Sequence, residues 1–233
     1  MITEEKHPES HIGRLNEGPL HAAIKAWYAK TSDKVEVHVH GYVVDILRGN
    51  LIIEIQTGSF SKIRKKLAAL LKEYPIRLVY PISTEKWIIK INNNANKQLG
   101  RRKSPKRGTY EDLFEELVSF PSLIAHPNFA LEVLLIREEE IRIHDPHRAW
   151  RRKGWITQER RLLDVVGQRR FNHPEELTEL IPNTITGEFT TSDLAAALQK
   201  PTRLAGRMAY CLREIGAIVP IGKRGRAILY TRS

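Results

Sequence analysis

Cysteine is nearly absent from this chain of 233 residues, in which Cys211 is the single example. One cysteine cannot form a disulfide within the chain, and a chain without disulfides is typical of the reducing cytosol. We therefore expect a cytoplasmic protein. The sequence also has no CxxC motif, which excludes a structural zinc site of that kind.

Long hydrophobic runs are missing as well. None approaches the roughly 18 apolar residues that a membrane-spanning helix needs, and the N-terminal stretch MITEEKHPES is too polar for a signal peptide. We expect no membrane partner. There is no glycine-rich phosphate loop, and Ser59 and Ser61 lack a G-x-S-x-G context, so ATP-driven and acyl-transfer chemistry have no support.

Basic residues, by contrast, are in excess: 38 Lys and Arg stand against 27 Asp and Glu, a formal net charge of +11. This balance favours a polyanionic partner, most simply nucleic acid. The alternative is that the charge serves solubility alone. The length of 233 residues is enough for one large domain or two modest ones, and hydrophobic residues make up 41% of the chain, so a sizeable core can form.

The first two thirds of the chain show an α-β-β-β-α-β-β pattern. After a flexible N-terminus over 1–15, periodicity predicts a domain over 16–145 and a connecting segment over 146–187 whose geometry the pattern leaves open. Within the domain we predict helices over 20–29, 59–74 and 110–120, strands over 35–39, 42–47, 51–56, 76–82 and 86–91, a strand or hairpin over 129–144, and a basic loop over 93–108. That loop holds six basic residues and no acid.

The stretch DILRGNLIIEIQTG, which begins at Asp45, is typical of a tight hairpin. Gly49-Asn50 suits a type II′ turn, which would pair Arg48 with Leu51 and place Asp45 directly across from Glu54. Gln56 would share their face, since strand residues two apart point the same way. The opposite face, directed into a core, would comprise Val44, Ile46, Ile53 and Ile55.

Like charges directly opposite one another destabilise a strand pair. The hairpin therefore predicts a compensating cation or a raised pKa, and a divalent metal held by oxygen ligands answers both needs. In the alternative interpretation, Asp45 and Glu54 are merely solvated or are paired with nearby Lys and Arg.

The strand order and the Asp45, Glu54, Gln56 spacing together resemble the PD-(D/E)XK nuclease superfamily over about residues 17–92. The resemblance implies an α/β (α+β) fold with a restriction-endonuclease-like αβββαβ core. It also implies Mg²⁺ or Mn²⁺ bound by Asp45, Glu54 and the carbonyl of Ile55. The sequence departs from the family at Gln56, where the motif has Lys, although some restriction endonucleases of the superfamily also carry Gln there.

Other residues could complete such a site. Lys62 or Lys66 could supply the missing cation, but we favour a solvated helix face for both. The family often adds an acid from the first helix, and here Glu17 is the candidate. His21 and Lys25 follow at four-residue intervals, so the three could line one face, with His21 as a metal ligand or base or as a structural residue.

Residues 188–233 change character and resemble a winged helix-turn-helix. Thr190 and Asp193 have capping-box spacing, a second helix follows, and two short strands flank a basic turn. If the resemblance holds, the second helix reads DNA; the alternative is a winged helix used for protein contacts. The residues predicted to bind nucleic acid are Arg101, Arg102, Lys103, Lys106 and Arg107 in the basic loop, Thr202, Arg203 and Arg207 on the second helix, and Lys223, Arg224 and Arg226 in the wing.

The resemblances imply a Mg²⁺-dependent endonuclease acting on DNA, most simply duplex DNA, with Asp45, Glu54, Gln56, Glu17 and His21 as catalytic residues. Cutting both strands would need two active sites and hence a homodimer. The main alternative is a DNA-binding regulator or assembly factor with a degenerate nuclease core, which the presence of Gln56 favours. A further alternative is an RNA-processing nuclease.

Overall fold

The structure is a computed structural model and describes residues 17–92, 97–147 and 153–233. The predicted flexible segment 1–15 lies outside the described residues. The helices are α1 (Pro19–Tyr28), α2 (Arg64–Leu70), α3 (Phe114–Leu117), α4 (Pro121–Ile124), α5 (Thr191–Leu198) and α6 (Thr202–Glu214), with 3-10 turns at Phe60–Lys62, Tyr110–Leu113 and Pro174–Leu180. The strands are β1 (Lys34–Val39), β2 (Tyr42–Arg48), β3 (Leu51–Ile55), β4 (Ile76–Asn92), β5 (Lys97–Lys103), β6 (Phe129–His144), β7 (Trp155–Phe171), β8 (Ile218–Arg224) and β9 (Ala227–Arg232).

Seven of these strands form one mixed sheet in the order β1-β2-β3-β4-β6-β7, and β5 pairs with β4. The pairs β3–β4 and β4–β6 are parallel, while the other pairs are antiparallel. Helices pack on this sheet, and β8 and β9 form a separate hairpin. The mixed α+β class is therefore confirmed. No helix in the part of the chain that the structure describes combines the length and the apolar character needed to cross a membrane.

Two local predictions were wrong, and a third segment, whose geometry the sequence left open, is a strand; in each case pairing in the sheet overrides local composition. Residues 97–103, predicted as loop, form the exposed strand β5 along the far half of β4. The strands predicted over 76–82 and 86–91 are one continuous strand, β4. Residues 155–171, predicted to be part of a connecting segment, are strand β7, which pairs with β6 over its length. The sheet therefore extends well beyond the predicted domain boundary at 145.

The predicted hairpin register is confirmed at Arg48↔Leu51 and at the next two pairs up to Ile46↔Ile53. Gly49 has a φ of 61°, and the φ of Asn50 is not positive. A type II′ turn requires this combination, with a positive φ at its first central residue alone. The β2–β3 ladder ends at Ile46↔Ile53, so the prediction that Asp45 pairs directly with Glu54 was wrong. Instead, the ladder stops one residue short of the two acids.

The hydrophobic core lies on both faces of the sheet, because alternate residues of β3 point to opposite sides. On one face, Ile53 and Ile55 pack under α1 with Ile46. On the other face, Ile52 joins Val44 and a large cluster. Val44 was predicted to point the same way as the other three hairpin residues and does not. The large cluster also contains α2, α3, α5 and α6, so the C-terminal helices share a core with the sheet.

The C-terminal residues form the predicted order of helix, short connection, helix and hairpin. Thr190 and Asp193 make the predicted capping box, in which Asp193 N–H donates to the Thr190 hydroxyl at 3.2 Å and Thr190 N–H donates to the Asp193 carboxylate at 2.8 Å. The apolar stripe of α6, with Leu204, Met208 and Leu212, is fully buried. Burial of this stripe leaves the basic residues of α6 at its surface.

Candidate functional site

A cleft of about 470 Å³ opens where β2 and β3 diverge, between α1 on one side and α2 on the other. All five predicted catalytic residues line it: Glu17, His21, Asp45, Glu54 and Gln56. Lys25, Glu36 and Lys66 line it as well. The two hairpin acids and Gln56 thus lie in one cleft, although the acids are not a ladder pair.

Beyond the end of the ladder, the side chain of Asp45 serves as the hydrogen-bond acceptor for the backbone of β3. Its Oδ2 accepts a hydrogen bond of 2.7 Å from the backbone N–H of Ile55, and His21 Nε2 lies 3.1 Å from the same oxygen. Burial alone would raise the pKa of Asp45, but His21 and the Ile55 N–H together hold that pKa below its ordinary value. Conversely, burial opposes protonation of His21, and Asp45 outweighs it and raises the pKa of His21. The contact therefore favours the charged forms of both side chains.

Glu54 is in a different electrostatic state. It is only 3% exposed, Lys66 Nζ lies 2.5 Å from its Oε2, and its Oε1 is buried without a hydrogen-bond partner. Burial, reinforced by the charge of Asp45, raises the pKa of Glu54 to about 7 in spite of Lys66. Of the two hairpin carboxylates, Asp45 therefore favours its ionised form, whereas Glu54 titrates near neutral pH.

Lys66 is the residue that the sequence interpretation misjudged. It was assigned to a solvated helix face, but its ammonium enters the cleft and also donates to the carbonyl of Val43 at 2.6 Å. Lys62, assigned to the same face, is indeed exposed. Helical periodicity could not separate the two residues, because the distinction depends on which one reaches the buried Glu54.

Glu17, His21 and Lys25 share one face, as predicted. Glu17 precedes α1, and its Oε1 lies 3.8 Å from His21 Nε2 and 2.8 Å from Lys25 Nζ. Lys25 is also 2.6 Å from Glu36 on β1. Burial opposes the charge of Lys25, but these two carboxylates outweigh it and raise the pKa of Lys25. An alternating series of acids and bases thus lines the α1 side of the cleft.

Gln56 lies at the position where the PD-(D/E)XK motif, which the sequence resembles, has a lysine. Its side-chain amide donates to the carbonyl of Ser59 at 2.7 Å, and its backbone N–H donates to the carbonyl of Val79 at 2.9 Å. The side chain is therefore anchored at the end of β3, with an uncharged amide in the cleft.

The donor atoms of the cleft fit a hard divalent cation in part. Carboxylates of Asp45 and Glu54 are the oxygen ligands that Mg²⁺ and Mn²⁺ prefer, and Glu54 Oε1 is a buried acceptor without a partner. However, no group of three or more His, Cys, Asp and Glu side chains is gathered as a metal cluster within 17–92, 97–147 and 153–233. A cation would therefore compete with Lys66 and His21 for the two carboxylates.

The predicted basic loop residues are all exposed on or after β5. The guanidinium of Arg101 and the ammonium of Lys103 lie 5.0 Å and 5.1 Å from the ring centre of Trp87. They also pair with Glu139 and Glu85 at 3.1 Å and 2.9 Å. Arg102, Lys106 and Arg107 extend this basic surface.

Two of the predicted DNA-reading residues of α6 form ion pairs with an acidic residue of α3. Arg203 and Arg207 both pair with Glu115 of α3, Arg203 at 2.8 Å, and Lys200 pairs with Asp112 at 3.1 Å. Thr202 is exposed, as are the wing residues Lys223, Arg224 and Arg226, of which Arg224 pairs with Asp193 at 3.0 Å. Arg207 thus lies against α3, whereas Arg203, with 67% of its side chain exposed, and the basic residues of the predicted wing are open to solvent.

The raised pKa of Glu54 predicts a pH dependence of stability. Between about pH 4.5 and pH 7 the folded protein keeps a proton on Glu54 that the unfolded chain has released, so this group lowers the free energy of unfolding as the pH rises. We expect Glu54→Gln to lose this decrease and to gain stability relative to the wild type above pH 7. Urea denaturation of both proteins at mildly acidic and mildly alkaline pH measures the difference in their free energies of unfolding. An unchanged pH dependence in Glu54→Gln would contradict the assignment, and Glu73→Gln, at an exposed glutamate, is the matched control.

Comparison with known proteins gives three findings. A family model described as "Domain of unknown function (DUF8091)" matches residues 18–172. A protein of Treponema pallidum (strain Nichols), named "Uncharacterized protein", is 29% identical over 223 residues, covering 95% of this chain and 87% of that protein. No solved structure matches the chain. The matched family region runs from α1 through β7, so it contains the whole seven-stranded sheet and every cleft residue except Glu17, and it ends before α5.

Proposed function

We propose that this chain, which belongs to the DUF8091 family of domains of unknown function, is a metal-dependent DNA endonuclease with a restriction-endonuclease-like core and a C-terminal winged helix. The observation that carries the proposal is the convergence of Asp45, Glu54 and Gln56 with Glu17 and His21 in one cleft. His21 lies on α1, Asp45 on β2 and Glu54 on β3. Glu17 precedes α1 and Gln56 follows β3, in the order that the motif resemblance implies. Paired carboxylates at the point where two strands diverge suit phosphodiester hydrolysis better than a purely structural role.

Each residue has a role in this proposal. Asp45, Glu54 and the carbonyl of Ile55 would hold Mg²⁺ or Mn²⁺. When bound, the ion would stabilise the negative charge that develops on the phosphate. Gln56 would orient the attacking water through its amide without taking its proton. His21, held by Asp45, would act as the proton acceptor when its imidazole is neutral, and Lys66 would supply the positive charge that the motif places at position 56.

Most of the contacts with DNA would lie outside the cleft. The exposed cations of β5 and of the wing are suited to phosphate contacts, which carry most of the non-specific affinity for duplex DNA. The α6 arginines could join them only after leaving Glu115. Double-strand cleavage would need two clefts, and hence a homodimer.

A specific observation also favours a second function, a DNA-binding regulator with a degenerate nuclease core. Lys66 and His21 already neutralise Glu54 and Asp45, and Gln56 removes the motif cation. Such a site could persist without binding metal. Affinity for Mg²⁺ or Mn²⁺ separates the two functions, because only the nuclease requires it.

The proposed function is tested by incubating the protein with supercoiled, linear and single-stranded DNA, each with Mg²⁺, Mn²⁺ or EDTA. A nuclease cleaves with either metal and not with EDTA, and Glu54→Ala does not cleave. Binding without cleavage under every condition would support the regulator. An RNA substrate in the same series tests the remaining alternative, an RNA-processing nuclease.

The β5 surface gives a separate prediction for binding. Replacing Arg101 and Lys103 together with Ala is expected to reduce the slope of log affinity against log salt by about two, roughly one for each lost phosphate contact. Fluorescence anisotropy with a labelled duplex at several salt concentrations measures it. The matched control is Lys30→Ala with Lys34→Ala, since both lysines are exposed near β1, which β2 and β3 separate from β4. An equal change in slope for both double variants would refute a specific role for β5.

A further inference from the structure

Glu36 has an unusual backbone conformation for its position. It lies in the middle of β1 with φ 55°, in the left-handed region that residues other than glycine rarely adopt. Its neighbours Val35 and Val37 pair normally with Ile46 and Val44. Glu36 therefore lies across from Asp45, at the one place where the β1–β2 ladder is interrupted.

No inserted residue explains this conformation. The β1–β2 register is the same on both sides of Glu36, so the strand contains no bulge that would force a left-handed residue. A non-glycine residue held at positive φ is a cost to the fold, and such residues cluster at functional sites. Glycine would adopt the conformation freely, yet the chain has glutamate.

The side chain of Glu36 shows what the conformation achieves. Its carboxylate lies in the cleft, 2.6 Å from the ammonium of Lys25. The side chain of Lys25 is 11% exposed, whereas that of Glu36 is 53% exposed. Lys25 also contacts Glu17, so its ammonium is fixed between two carboxylates on the α1 side of the cleft. A buried cation in this place can contact an anionic ligand only if it is held toward the opening.

We propose that Glu36 is a positioning residue of the cleft, whose left-handed backbone places its carboxylate against Lys25 and so holds the Lys25 ammonium where a phosphate of the ligand would contact it. The inference rests on the proposed function in one respect, that the ligand of the cleft is a phosphodiester. Glu36 itself does not contact the reacting atoms. It acts through Lys25.

Two substitutions separate backbone strain from the lost carboxylate. Glu36→Gly and Glu36→Ala remove the same side-chain contact, but only glycine accepts positive φ without strain. We expect Glu36→Gly to melt about 2 to 4 °C above Glu36→Ala in the full-length protein. We also expect both variants to bind a short fluorescein-labelled DNA duplex about fivefold to tenfold more weakly than the wild type, as for one lost ionic contact. A Glu36→Gly variant that binds as the wild type does, or that melts no higher than Glu36→Ala, would overturn the proposal.

The dependence on Lys25 is tested by a thermodynamic cycle of Glu36→Ala, Lys25→Met and the double variant. If Glu36 acts through Lys25, the double variant binds the duplex no more weakly than Lys25→Met alone, and the changes in melting temperature are not additive. Additive changes would overturn the positioning role. If the wild type binds no duplex, the proposed function fails, and the melting temperatures of the same variants still decide whether Glu36 is strained and coupled to Lys25.

Discussion

Glu54→Gln is expected to reduce Mg²⁺-dependent DNA cleavage by at least about a thousandfold, since the ion contributes several kcal/mol to the transition state. Glutamine keeps the shape of Glu54 and an oxygen within reach of Lys66, but it removes the negative charge that would hold the cation in the proposed site. Affinity for the duplex is expected to persist, because the basic surfaces of β5 and the wing do not depend on Glu54. Single-turnover cleavage of supercoiled DNA, with anisotropy on the same preparation, measures both quantities.

The control for this substitution is Glu73→Gln, which makes the same chemical change at a side chain that is 60% exposed and outside the cleft. It should cleave as the wild type does. Asp45→Asn should match Glu54→Gln, because both residues serve the same ion. Cleavage by Glu54→Gln at the rate of the wild type would remove the nuclease assignment, and loss of duplex binding in that variant would show that the cleft itself holds DNA.

Glu132→Ala is expected to lower the free energy of unfolding by about 3 to 5 kcal/mol, the usual cost of breaking a buried ion pair from one side. Glu132 is fully buried on β6, where it accepts from the hydroxyl of Tyr28 at 2.8 Å and from Arg170 at 3.1 Å. Gln168 donates to its other oxygen, and Arg77 lies 3.6 Å away with 15% of its side chain exposed. Removing the carboxylate leaves these donors without this acceptor inside the protein.

This prediction also bears on the cleft, because Tyr28 is the last residue of the helix that carries His21 and Lys25. Urea denaturation gives the stability change, and Glu179→Ala is its control. Glu179 also pairs with an arginine of β7, Arg169 at 2.5 Å, but 63% of its side chain is exposed. Its loss should therefore cost no more than about 1 kcal/mol. Equal effects of the two substitutions would show that Glu132 does not anchor α1.

The hairpin illustrates how much of the site could be predicted from sequence. Gly49 and Asn50 specify a turn type, the turn type specifies the register, and alternation then brings Asp45 and Glu54 to one region. Each of these steps is local. The end of the β2–β3 ladder at Ile46 was not predictable in this way, since the Asp45 side chain bonds instead to His21 and to the N–H of Ile55, and these groups meet only in the folded sheet.

Lys66 and β7 show why the rest could not be predicted. A lysine on a helix is solvated or buried according to what lies beneath it, and Glu54 lies beneath Lys66 only because α2 packs against the end of β3. The sequence of β7 is rich in charge and carries no clear alternation, yet it pairs with the long strand β6, and three register shifts accommodate its extra residues. Pairing with a neighbour, and not local pattern, determines that strand.

The central claim, that Asp45 and Glu54 form a divalent-cation site, is tested most directly by soaking crystals of the protein in Mn²⁺ and measuring anomalous scattering. A divalent-cation site gives a single strong anomalous peak in the cleft, in contact with both carboxylates. Either Lys66 is then displaced from Glu54 Oε2, or the ion binds to Glu54 Oε1. The absence of a peak, with Lys66 still paired to Glu54 and His21 to Asp45 at saturating Mn²⁺, would contradict the metal site and favour the regulator.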